Sequence, residues 1–140
     1  MAKMALLLAA SLALGGCSMT KPLFLAGDLN QKASEAADDY STYLRWGRLS
    51  KAAAFVEPLR RPEFVAFFAE GHRYRFTEVS VAALDYDEQT LTASAIVRFT
   101  LYAMPRVQEI KVVENQEWRF DRRADQWYVE PDLEAFRSLR

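Results

Sequence analysis

Hydrophobic positions change their period twice along this chain. From Met4 to Leu14 the residues are almost uninterruptedly apolar. Ala33, Ala36, Ala37, Tyr40, Tyr43 and Leu44 then recur at helical spacing, and Gly47 follows as a stop. Asp28 with Gln31 three residues on has the form of a capping box, which predicts that this helix starts there. A shorter helix is predicted over 49–56, ended by Pro58. A third begins at Pro62 and runs through Phe64, Val65, Phe67 and Phe68 to Gly71. The adjacent pair Phe67 and Phe68 cannot easily face inward together, so one of them is a candidate partner surface.

From Tyr74 the period becomes two. Val79, Val81 and Ala83 alternate with Glu78, Ser80 and Ala82 up to a turn at Asp85-Tyr-Asp-Glu88. A second strand over 90–104 places Leu91, Ala93, Ala95, Val97, Phe99 and Leu101 on one face. Thr92, Ser94, Arg98 and Thr100 lie on the other, and Pro105 ends the run. A third strand is predicted over 109–121 and a fourth over 126–129, joined by an Asp121-Arg-Arg-Ala-Asp125 turn. Pro131 and Asp132 open a last helical turn that can dock Leu133 and Phe136. Helices first and strands afterwards predict an α+β fold: N-terminal helices packed on a curved four-stranded antiparallel sheet.

Composition narrows this picture. An apolar fraction of 51% argues against disorder, and the length suits one domain. A net charge of -1 lacks the basic excess of a nucleic-acid binder, so no nucleic acid is expected as a partner. One cysteine and one histidine, Cys17 and His72, cannot supply a His/Cys metal site within one chain, and no metal or cofactor is expected.

The apolar run at the N-terminus covers about 11 residues. It is too short to span a bilayer, which needs roughly 20, but suits a signal-peptide core. Lys3 precedes it, and Leu14-Gly15-Gly16-Cys17 follows. This segment resembles a bacterial lipoprotein precursor. Small residues at Gly15 and Gly16 admit the peptidase, and only a thiol at position 17 can take a thioether-linked lipid. The resemblance implies cleavage between Gly16 and Cys17, with Cys17 the new, lipidated N-terminus. A covalent lipid on Cys17 is then the only prosthetic group. Each buried methylene contributes about 0.8 kcal/mol, so several acyl chains hold a protein durably. Ser18 after the cysteine, rather than Asp, implies the outer membrane facing the periplasm over the inner membrane. The expected division is a signal peptide over 1–16, a lipidated N-terminus and tether over 17–29, and a single α+β domain over 30–140.

Over roughly residues 30–130 the chain also resembles the nuclear-transport-factor-2-like superfamily, within the cystatin-like folds. The resemblance rests on element order, on Trp46-Gly-Arg-Leu-Ser-Lys-Ala-Ala-Ala-Phe55, and on Trp118-Arg-Phe-Asp-Arg-Arg-Ala-Asp-Gln-Trp127. It implies a cone between helices and sheet that serves a protein partner or a small apolar ligand. In some members the cone holds an acid/base pair for isomerisation or cyclisation. A non-enzymatic, membrane-anchored binding protein of the envelope is the first expectation. An enzyme of the ketosteroid-isomerase or polyketide-cyclase kind is the alternative, and an outer-membrane assembly factor a third.

Glu114, Gln116 and Trp118 share the parity of Ile110 on the third strand, and with Arg98 they form the candidate pocket. A carboxylate on the core face needs an Arg or Tyr partner or a wet cavity. A bulge between Val113 and Gln116 would instead turn Glu114 to solvent. His72 falls in a connecting loop, where surface packing suits it better than catalysis. Arg45, Arg48, Lys51, Arg60 and Arg61 crowd the helical half and are candidates for anionic headgroups, set among Asp38, Asp39, Glu57 and Glu63. Trp46, Trp118, Trp127 and the phenylalanines form either a core or an apolar pocket.

Overall fold

The computed structural model describes residues 21–69 and 74–138, with side chains from Asp28 onward. Gly16, Cys17 and His72 therefore lie outside the described residues, as does the expected cleavage site. Among the described residues four helices and four strands follow in order: α1 (Lys21–Arg45), α2 (Leu49–Ala53), α3 (Arg61–Ala69), β1 (Tyr74–Asp87), β2 (Thr92–Ala103), β3 (Glu109–Asp121), β4 (Gln126–Glu130) and α4 (Glu134–Arg137). The strands form one antiparallel meander, β1-β2-β3-β4. The α+β expectation holds.

α1 begins earlier than the sequence pattern suggests. Its 25 residues absorb 21–29, so that stretch is helix and not an extended tether. Pro22 sits in the first turn, where its missing N–H is not needed. Gly27 within a helix costs only about 1 kcal/mol. Asp28 then has no open helix terminus to cap, and it pairs with Lys32 at 3.0 Å instead. Gln31 turns to Glu35, its Nε2 donating across 2.8 Å.

The C-terminus of α1 does behave as its glycine implies. Gly47 has φ +65°, its N–H donates to Leu44, and the Arg48 N–H donates to Tyr43. These are the two bonds of a Schellman cap. The buried face of α1 is Ala33, Ala36, Ala37, Tyr40, Ser41 and Leu44. Its alanines let the helix backbone approach the sheet closely.

β2 presents Ala93, Ala95, Val97, Phe99, Leu101 and Ala103 inward, while Ser94, Ile96 and Arg98 are exposed. β3 buries Val112, Glu114, Gln116 and Trp118 in the same alternation. The bulges lie in β1, between Phe76 and Glu78 and between Val81 and Ala83. The second shifts the phase, so Leu84 and Tyr86 pack on the core while Ala83 is exposed, contrary to simple alternation. β1 also continues through Asp87, past the expected turn. Asp87 Oδ1 accepts the backbone N–H groups of Gln89 and Thr90, which makes the connection to β2.

The free side of β4 is covered by the segment after α2. Val129 N–H donates to Phe55, and Glu57 N–H donates to Val129, at 2.7 and 3.0 Å. Arg61 ties the same segment through the carbonyls of Ala54 and Val56. At the other end of the sheet Phe136 of α4 is fully buried among Phe68, Tyr74, Phe76 and Phe99. Phe67 and Phe68 are both half-buried: Phe68 lies on Phe64 and Phe136, and Phe67 stacks on Tyr74.

Candidate functional site

β3 carries a ladder of polar side chains into the core. The β2–β3 register runs without a shift from Thr92↔Arg119 to Tyr102↔Glu109. No bulge turns Glu114 outward, and Glu114 and Gln116 are both 0% exposed. Both side chains are thus closed off from bulk solvent. Arg98 does not belong with them. It is exposed, opposite Val113 in the register, and lines an outer groove with Glu78, Glu109 and Lys111. Even and odd positions of paired strands face opposite sides, which separates Arg98 from the inward set.

Trp118 Nε1 donates to Gln116 Oε1 at 3.0 Å, and Gln116 Nε2 donates to Glu114 Oε2 at 2.8 Å. Donor chemistry fixes this orientation. An indole N–H can only donate, so the Gln116 carbonyl turns to it and the amide nitrogen turns to Glu114. Glu114 Oε2 is then an acceptor, and a proton on the carboxyl belongs on Oε1. Small residues make room for the ladder: Ala93 lies opposite Trp118 and Ala95 opposite Gln116.

Among the described residues no cation balances the carboxyl. Burial drives its pKa up to about 8, against the opposing pull of the Gln116 hydrogen bond and the Asp132 backbone N–H. Glu114 Oε1 has no hydrogen-bond partner of ordinary geometry among the described residues. At neutral pH Glu114 is thus mostly a neutral acid. Tyr40 from α1 closes over the ladder, its ring edge-on to Trp118 with centroids 5.8 Å apart. Among the described residues its hydroxyl is buried without a partner, as is that of Ser41. Burial first, and the Glu114 charge second, raise the Tyr40 hydroxyl well above its ordinary pKa.

Three of the four residues expected to share a pocket are therefore together, but as a closed core network. Tyr40 was missed as a member. The signal available was a hydroxyl within the apolar stripe Ala33, Ala36, Ala37, Tyr40. The basic residues resolve into separate roles. Arg60 pairs with Glu63 at 3.2 Å, and Arg61 holds backbone carbonyls. Arg45 lies over Trp46 and Lys51 over Tyr43, at 5.1 and 5.5 Å. Trp118 is core, Trp127 is buried beside Tyr86 and Phe120, and Trp46 is 65% exposed. Among the described residues no group of three His, Cys, Asp or Glu side chains is placed to hold a metal. Among the same residues no helix is long and apolar enough to cross a membrane.

No protein-family model matches the sequence, and no curated protein matches it. The fold is similar to the solution structure of a SEC-C motif containing protein from Rhodopseudomonas palustris. The TM-score is 0.51 at 14% identity, over 65% of this chain and 70% of that one. At that identity the likeness concerns the fold alone.

Proposed function

We propose that this chain is a lipid-anchored envelope protein whose α+β domain is a binding module for a protein partner or a small ligand. One observation carries the anchor. The only cysteine of the sequence stands at the end of Leu14-Gly15-Gly16-Cys17, directly behind a short apolar segment. Ser18 favours the outer membrane, with the domain on the periplasmic side. The order of helices before an antiparallel meander, with Trp118 and Trp127 on its last hairpin, supports a nuclear-transport-factor-2-like domain.

The buried state of Glu114 supports binding over catalysis, because a general acid must lie within reach of its substrate. A second reading is an acid/base enzyme, favoured by the raised pKa of the same carboxyl. It requires the helical layer to open over β3. Replacing Cys17→Ser tests the anchor: acyl labelling disappears and uncleaved precursor accumulates. Labelling that persists in the variant rejects the assignment. Density fractionation of the envelope then reads the membrane, and affinity purification of the lipidated chain reads a stoichiometric partner or ligand.

A further inference from the structure

Beyond the buried ladder, the molecule has a cleft at the far end of α1. Two adjoining hollows of about 350 and 230 Å³ share Leu44, Gly47, Tyr74 and Phe76. Leu49, Phe68 and Ala69 complete the inner, apolar part. The Tyr74 hydroxyl is turned away and donates to the Phe136 carbonyl, so its ring rather than its polar end faces the cleft. Arg45, Trp46, Arg75 and Thr77 form the outer part. Together the hollows fall within the roughly 300–1,000 Å³ of small-molecule sites.

Among the described residues the charged side chains lining these two hollows are both positive, and Arg45 also borders the outer groove that holds Glu78 and Glu109. Among the described residues both guanidiniums at the mouth lack an ion-pair partner, and no carboxylate lines either hollow. The carbonyl end of α1 also points this way, which disfavours an anion. The Schellman bonds occupy the Tyr43 and Leu44 carbonyls, and Arg45 stands in the same last turn. An apolar interior with a doubly cationic, aromatic-edged mouth suits a narrow apolar chain ending in an oxyanion. Arg recognises carboxylate and phosphate in the same forked geometry.

We infer that the cleft between the end of α1, α3 and the start of β1 binds a single-chain anionic amphiphile, with its chain against Leu44, Phe68 and Phe76 and its head at Arg45 and Arg75. This names the ligand class for the binding module proposed above and rests on that reading.

The test uses the full chain, in lipid nanodiscs if anchored and in buffer if not. A diazirine-bearing palmitate is added and irradiated, and the labelled peptides are located by mass spectrometry. Saturable labelling is expected in the segments around 44–49 and 74–77. It falls by about tenfold or more in Arg45→Glu/Arg75→Glu, the loss of a charge-assisted contact. The methyl ester of the same probe labels the cleft no better than the double variant does. Arg45→Gln/Arg75→Gln, checked for native circular dichroism, gives the same loss if the charges act and not a damaged fold. Competition by lysophosphatidate as well as palmitate means that any oxyanion head serves; competition by palmitate alone restricts the head to carboxylate. Labelling spread over other surfaces, equal with the ester, or unchanged in both double variants overturns the inference. Acyl labelling at Cys17 is read separately, so loss of the anchor with cleft labelling intact rejects only the anchor.

Discussion

Gln116 joins Glu114 to Trp118, its amide nitrogen 2.8 Å from the Glu114 carboxyl and its carbonyl 3.0 Å from the Trp118 indole. All three side chains are buried, and among the described residues no cation faces the carboxyl, so burial favours its neutral form.

The pH dependence of stability follows from that neutral acid. Its folded pKa of about 8 lies above its ordinary value of 4.5, so between these values the unfolded chain binds fewer protons than the folded one. This carboxyl's contribution is therefore fully present below about 4.5, declines as pH rises to about 8, and changes little beyond. Glu114→Gln keeps the shape and removes the titration. Denaturant midpoints measured from pH 5 to 8 should fall less steeply in the variant, which should be the more stable protein at pH 8, by ~2 kcal/mol or more. Parallel slopes for the two proteins would contradict the assignment.

Trp118→Phe removes the donor that fixes Gln116. The carbonyl is left buried and unpaired, and indole packing is lost with it. A loss of about 2–4 kcal/mol is expected from urea unfolding, the sum of an orphaned polar group and a smaller ring. Trp127→Phe is the control, since the Trp127 Nε1 has no partner to lose among the described residues. It should cost less.

Tyr40→Phe should be neutral or stabilising, by up to about 1 kcal/mol. Among the described residues the hydroxyl is buried without a hydrogen bond, so its removal takes away a desolvated group and keeps the ring on Trp118. A loss of more than ~1 kcal/mol in thermal or urea unfolding would mean that the hydroxyl has a partner in solution, with Glu114 Oε1 the nearest in kind.

Gly47→Ala isolates a backbone effect. A Cβ at this position meets nothing within 4 Å, but the φ of +65° is strained for any L side chain. Unfolding measurements should show a loss of about 1–2 kcal/mol. Gly47→Asn should lose less, because Asn tolerates the left-handed region. Equal losses would point to contacts instead of conformation.

Much of the architecture was legible before any coordinates. Period-two alternation over 93–101 set which face of β2 is buried, because a strand paired on both sides keeps its phase. Gly47 announced the end of α1, since a Schellman cap needs φ above zero. Leu133 and Phe136 likewise dock as their spacing implied. Other features depended on what the chain packs against. A capping box reads the same whether a helix starts at Asp28 or passes through it, and here it passes through. A bulge leaves no mark in a short apolar run, so its placement in β1 rather than β3 was a matter of pairing.

The sequence by itself determined one parity for Glu114, Gln116 and Trp118 on a strand, because successive side chains alternate. It left open a bulge that would turn Glu114 out; the unshifted β2–β3 pairing removed that alternative. Only the tertiary structure decided that this side is closed. Tyr40 arrives from a helix more than 70 residues earlier in the chain, and its ring, with the alanine face of α1, excludes the water that would keep Glu114 charged. Burial is a property of what covers a residue, and the covering comes from distant sequence.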